Sequence, residues 1–176
     1  PKVFRNTGMI YCNDLAGRLE NLGFHGVMTE GLPQYLQDQS PNYLYTAPHT
    51  KKIKTILKNY KLSADFTHRF ADQSWNEYPL TAKKYANWIA NAPGDCVNIY
   101  MPYETFGQHL SPETGAFDFI KKLPTELKNQ EVNFLTASDQ VEQLSIKGVF
   151  DVHLPVSWRD SEKDLSAWSG NNMQKE

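Results

Sequence analysis

Sulfur chemistry has little to work with in this chain. Its two cysteines, Cys12 and Cys96, lie far apart and outside any Cys-x-x-Cys or Cys/His ligand spacing. They read as two buried free thiols, and nothing in their placement calls for a disulfide. The five histidines (His25, His49, His68, His109 and His153) are scattered, so no metal-ligand pattern forms and neither a metal nor another cofactor is expected. No apolar run approaches the ~18 residues that suggest a membrane span. The chain opens on Pro1-Lys2 without an initiating Met or a signal core, so residue 1 is not expected to be the native start. A cytoplasmic protein with no membrane partner is the expectation. Positive charge is not in excess either. Eighteen Lys and Arg face 20 Asp and Glu, a net charge of −2, and no basic run stands out. That pattern excludes a nucleic-acid surface.

What is present is the composition of a globular domain. The 176 residues are 40% hydrophobic and 12% aromatic, which fits one ordinary unit. Short apolar runs alternate with helical periodicity, the pattern of an α/β fold. Val3-Phe4 begins a strand that ends at the Asn6-Thr7-Gly8 turn. Leu15, Leu19 and Leu22 follow at helical spacing, with Asn13 or Asp14 as cap and Gly23 at the C-terminus. Residues 26–29, 43–46 and 53–57 read as further strands, the first of these with Glu30-Gly31 at its exit. Residues 81–90 read as a helix stopped by Pro93-Gly94. Another helix is predicted from about Pro112 to Leu127, with proline in its first turn. Residues 97–101 and 132–135 read as strands, Ser138 as the cap of a short helix, and 164–168 as the start of a last one.

The most informative segment is Ile99-Tyr100-Met101-Pro102-Tyr103-Glu104-Thr105-Phe106-Gly107-Gln108-His109. An apolar run breaks into a proline, a glutamate, a glycine and a histidine. Proline ends ladder hydrogen bonding and glycine permits the turn. Polar residues just past the C-terminal end of a buried strand are where α/β barrels keep their active sites.

This segment resembles the Asp-x-Glu-x-Phe-Gly motif of glycoside hydrolase family 57, the family of α-amylases, glucanotransferases and branching enzymes. Val3-Phe4-Arg5-Asn6-Thr7-Gly8-Met9-Ile10-Tyr11 resembles the segment carrying the family nucleophile, which reads Phe-Arg-Asn-Thr-Glu in α-amylase-type members. Residues 115–124 resemble the helix after the acid motif. Ser157-Trp158-Arg159 through Leu165-Ser166-Ala167-Trp168 resembles the last conserved segment, and 59–70 also looks like the family. Together these blocks are specific, and each alone is weak. The resemblance implies part of a (β/α)7 barrel, an incomplete, distorted TIM-like barrel. An early His-Gln-Pro motif is missing, so residues 1–176 are expected to be a single unit, the C-terminal portion of a longer catalytic domain. A shortened α/β unit that completes its sheet by oligomerising is the alternative.

The departures carry as much as the match. Gly8 stands where the family has its nucleophilic Glu, and Pro102 where it has its acid/base Asp. Retaining hydrolysis needs one carboxylate to attack the anomeric carbon and a second, roughly 5 Å away, to protonate the leaving oxygen. Glycine and proline do neither. The expectation is an α-amylase-like pseudoenzyme with no catalytic residue, whose Gly8 and Pro102 lie together at one ancestral site. Its partner would be an α-glucan or maltooligosaccharide.

Candidate binding residues are Glu104 beside the lost acid, His109 on its loop, Glu30 at a strand exit, Arg69 as a partner for strand-end acids, and Trp158 as a flat stacking face with an N–H edge. Trp168 is a weaker stacking candidate, and Asp65 is either a helix-start charge or a site acid. Asp160, Glu162 and Asp164 suit a solvated helix start. Two rivals remain: an active hydrolase or transferase using displaced carboxylates such as Glu30 with Glu104, and a structural or regulatory module that binds no sugar.

Overall fold

The computed structural model describes residues 1–159 and 163–170. Its elements in chain order are β1 (Val3–Arg5), α1 (Asn13–Asn21), β2 (Gly26–Glu30), α2 (Pro33–Leu36), β3 (Leu44–Thr46), β4 (Lys54–Lys58), α3 (Tyr60–Arg69), α4 (Ala82–Ala90), α5 (Ala116–Asn129), α6 (Ala137–Gln143), β5 (Ile146–Val149) and α7 (Ser166–Ser169). The fold is mixed α/β. The chain divides into two compact units. The first takes Pro1–Lys58, Gly94–Asn98 and Leu135–Glu176, and the second takes Asn59–Pro93 and Ile99–Phe134.

The first unit holds a five-stranded sheet in the order β1-β2-β4-β3-β5. β1, β2 and β4 run parallel, β3 is antiparallel to β4, and β5 is parallel to β3. The register sets Val27 beside Thr55 and Thr29 beside Leu57 on one face. Alternation sends Gly26, Met28 and Glu30, with Lys54, Ile56 and Lys58, to the other. The first face packs into the core with Tyr11, Ala16, Leu19, Tyr45, Phe150 and Val156. Burial pushes the Tyr11 phenol up to about 12, although its hydroxyl shares a 3.4 Å hydrogen bond with Thr55. The second face meets α6. A Cβ on Gly26 would stand 2.6 Å from Val141, so that strand start has room only for glycine. Lys54 Nζ donates at 2.7 Å to the carbonyls of Val141 and Leu144. It thereby satisfies carbonyls at the helix end, where a cation also suits the dipole.

The second unit is built on aromatic rings. Phe66 of α3 lies with its ring centroid 5.0 Å from Phe119, 5.3 Å from Phe70 and 5.6 Å from Phe106. Tyr85 of α4 joins them and donates its hydroxyl to the Leu62 carbonyl at 2.8 Å. Asn59 caps α3 by accepting from Leu62 N–H, and Thr81 caps α4 by accepting from Lys84 N–H.

Several sequence expectations are corrected. Residues 97–101 form no strand. Cys96 N–H bonds to the Asn42 carbonyl and Tyr100 N–H to Ser63 Oγ, so the backbone finds partners outside a ladder. Residues 132–135 are likewise irregular. Asn13 and Asp14 do not cap α1. Asn13 instead bonds to Asp151 and to Val152 N–H. The cap of α6 is Thr136 in a reciprocal box with Asp139, not Ser138. The helix expected from Pro112 is a short 3-10 turn, residues 112–114, followed by α5. The helix α3 and the strand β5 were not expected.

One polar clasp in the first unit sets a test of stability. Glu20, near the end of α1, accepts backbone N–H bonds from Lys51 (3.0 Å), Lys52 (2.6 Å) and Ile53 (2.9 Å). Partial burial works to raise its pKa, but the three N–H bonds prevail and hold the carboxyl below the ordinary glutamate range. A depressed folded-state pKa contributes stability above the unfolded pKa and loses it as pH falls through the folded one. Glu20→Gln is therefore expected to lower stability at neutral pH by about 1 kcal/mol after discounting for solvent screening. The deficit should shrink as pH falls below the ordinary glutamate range, where the wild-type carboxylate also protonates. Urea unfolding of both proteins at several pH values checks this.

Candidate functional site

The turn after β1 is where the resemblance to glycoside hydrolases puts a nucleophile. Asn6 accepts from Thr7 N–H and starts a 3-10 turn of residues 7–9. Gly8 has φ +56 and Met9 φ +52. The left-handed conformation is free for glycine and costs an ordinary residue about 1–2 kcal/mol. The Gly8 carbonyl accepts from Trp158 N–H at 3.0 Å and from Ser157 Oγ at 3.0 Å. The Met9 carbonyl accepts from Thr29 Oγ1 at 3.4 Å, which ties the turn to β2.

The space that a side chain at position 8 would take is filled. A Cβ there would lie 2.8 Å from Trp168 Cζ2 and 3.2 Å from Ser157 Oγ. The indole N–H of Trp168 donates to Ser157 Oγ at 3.4 Å, and the Arg159 guanidinium lies over its ring at 5.9 Å. Trp168 stays 40% exposed. Trp158 is half-buried, and its indole N–H is buried without a hydrogen-bond partner. Gly8, Ser157, Trp158 and Trp168 thus form one packed cluster. The sequence blocks at 3–11 and 157–168 were separate readings, and the fold joins them.

Glu30, the last residue of β2, is fully buried rather than exposed at a strand exit. Its Oε1 accepts from Lys58 Nζ at 3.0 Å, and its Oε2 is buried without a partner. Lys58 was not foreseen. The parallel register sets it directly beside Glu30, since both end their strands. Thr29 points to the Met9 turn, so alternation turns Glu30 to the opposite face of the sheet.

In the second unit, Pro102 precedes a 3-10 turn of residues 103–105 and follows no strand. Thr105 N–H bonds to the Pro102 carbonyl, His109 N–H to the Glu104 carbonyl and Leu110 N–H to the Thr105 carbonyl. These bonds fold 102–110 into one tight loop that presents Glu104 and His109 to solvent, with Tyr103 96% exposed. Arg69 is engaged elsewhere: it donates to Asp65 Oδ1 at 3.1 Å and lies over the Trp75 ring at 5.8 Å. Asp65 sits inside α3 and is buried, not a helix-start charge. Burial raises its pKa despite the nearby Arg69. Burial also raises the Cys96 thiol; Cys12 and Cys96 are both free, and half-buried rather than buried as expected.

The binding candidates therefore divide by unit. Gly8, Glu30 and Trp158 belong to the first, and Pro102, Glu104, His109 and Arg69 to the second. Asp164 accepts from Ser166 N–H at the start of α7, while Asp160 and Glu162 lie outside the described residues. Among the described residues no three His, Cys, Asp or Glu side chains converge as metal ligands, and no helix is long and apolar enough to cross a membrane.

The sequence model of glycosyl hydrolase family 57 matches residues 1–154. A protein of Methanocaldococcus jannaschii named "Putative alpha-amylase" is 48% identical over 177 residues, an overlap covering 99% of this chain. The chain spans 38% of that relative's length. With the family match running through most of the sequence, from the β1 turn to β5 and beyond, this chain belongs to glycosyl hydrolase family 57.

Proposed function

We propose that this chain belongs to an α-glucan-binding protein of α-amylase ancestry that does not hydrolyse its ligand, and that it contributes the C-terminal portion of a distorted (β/α)7 barrel. The observation that carries the reading is position 8. A glycine stands there, and the Trp168 indole and Ser157 crowd the space a carboxylate side chain would enter. Pro102 supplies no proton at the second position. Hydrolysis through a covalent glycosyl intermediate has no nucleophile at the one and no acid at the other. Parallel β1, β2 and β4 with intervening helices support the barrel portion.

Binding does not need those carboxylates, because stacking and hydroxyl hydrogen bonds are partly separate from the chemistry. Within the first unit Trp158 serves as a stacking platform and Glu30 as a polar contact; Glu104, His109 and Arg69 are the candidate contacts within the second. The displaced-carboxylate rival gains little from Glu30, which is buried and held by Lys58.

The test is calorimetric titration of the full-length protein with maltooligosaccharides beside a reducing-sugar assay. Heat of binding without reducing-end release is expected. Trp158→Ala should weaken binding by about 1 kcal/mol, roughly fivefold. No heat at millimolar ligand from folded protein would leave the structural-module reading. Turnover that is lost on mutating Glu30 or Glu104 would establish displaced catalysis instead.

A further inference from the structure

The second face of the sheet ends in a polar pair that the family's lost carboxylates do not account for. Glu30 and Lys58 are neighbours in the parallel register, each closing its strand at the C-terminal edge. The Glu30 side chain is 0% exposed and that of Lys58 13%. One carboxylate oxygen accepts a hydrogen bond from the lysine ammonium at 3.0 Å, and the other is buried with no donor. An unsatisfied buried acceptor costs about 1–3 kcal/mol, and more when charged. A carboxylate already neutralised on one oxygen by an ammonium does not call for a second cation. The chemistry that completes it is a neutral O–H donor. The C-terminal edge of parallel strands is also where ligands meet α/β sheets.

We propose that Glu30 Oε2 is the acceptor for one hydroxyl of a bound α-glucan, with Lys58 as the residue that fixes the carboxylate's orientation. The proposal rests on the α-glucan reading above. Lys58 keeps 13% of its side chain exposed, so the pair stands one flexible side chain below the surface. Binding then requires a shift of the Lys58 stem that admits a ring hydroxyl to Oε2 while the ammonium stays on Oε1. Selectivity follows: the site favours a polyol over an anion, because a carboxylate repels negative charge, and over an apolar ring, which has no proton to offer.

The test compares wild-type protein with Glu30→Met/Lys58→Met by calorimetric titration with maltotriose. The double change replaces the ion pair by apolar side chains of similar length, a swap that commonly preserves folding. Thermal melts confirm that it has. Maltotriose binding at least tenfold weaker in the folded double variant supports the proposal. Equal binding by both proteins overturns it and leaves the α-glucan reading standing. Absence of binding to folded wild type removes that reading, and the proposal with it. A crystal of wild type soaked in maltotriose gives an independent answer that does not depend on the variant's folding. A sugar oxygen about 2.7 Å from Glu30 Oε2 is expected. Sugar bound elsewhere, with only an ordered water at Oε2, overturns the assignment.

Discussion

Lys58→Met is expected to destabilise the protein by about 3–5 kcal/mol, enough to unfold a large fraction of a marginally stable domain at physiological temperature. The cause is the group left behind. Glu30 has no exposed surface and, of its two oxygens, only Oε1 has a partner, which is Lys58. Removing the ammonium strands a buried carboxylate with no compensating charge. Glu30→Met/Lys58→Met should recover most of that loss, since the desolvation cost of both charges disappears together. Chemical denaturation of the two single variants and the double variant measures the coupling. Equal stability of Lys58→Met and wild type would show that the carboxylate finds another donor.

Placing a carboxylate at position 8 should fail for structural reasons before it fails for chemical ones. Gly8→Glu puts a side chain on a residue at φ +56, and its Cβ lies 2.8 Å from the Trp168 ring. The left-handed backbone costs about 1–2 kcal/mol and overpacking about 1–3 kcal/mol. A loss of roughly 2–5 kcal/mol is expected. Trp168→Ala should relieve the packing part and leave the backbone part, so a double-mutant cycle should show coupling of about 0.5–3 kcal/mol. Additive losses would mean that the indole moves aside freely. Adding Pro102→Asp to Gly8→Glu should yield no hydrolysis in a reducing-sugar assay, because a nucleophile must be held within about 0.5 Å of its productive position.

The parallel strands were legible because their apolar runs end in turn residues: Asn6-Thr7-Gly8 after β1 and Gly31 after β2. The reading failed where apolar character signalled burial but not pairing. Residues 97–101 look like a strand, yet Tyr100 N–H spends its bond on a serine hydroxyl. The strand β5, Ile-Lys-Gly-Val, was missed because lysine and glycine weaken its β signal and its face is only half-buried. The helix α3 could have been found from Leu62, Phe66 and Phe70 at four-residue spacing behind the Asn59 cap. At the site, the crowding around Gly8 was not legible, because Trp168 and Ser157 reach it only through the fold. Nor was the burial of Glu30. A strand-end glutamate is exposed by default, and Lys58 becomes its neighbour only once the register of β2 against β4 is known.

The order of the sheet has a consequence for synthesis. β5 seals the side of β3 that β4 leaves uncovered, yet about 100 residues separate β3 from β5 in the sequence. A ribosome adding 5–20 residues per second needs about 5–20 s to make that stretch. During that interval the nascent β3 carries a bare row of peptide groups, the feature that templates misassociation between chains. The polypeptide must make its whole second unit before its first can be closed, so the window of greatest aggregation risk falls within translation itself.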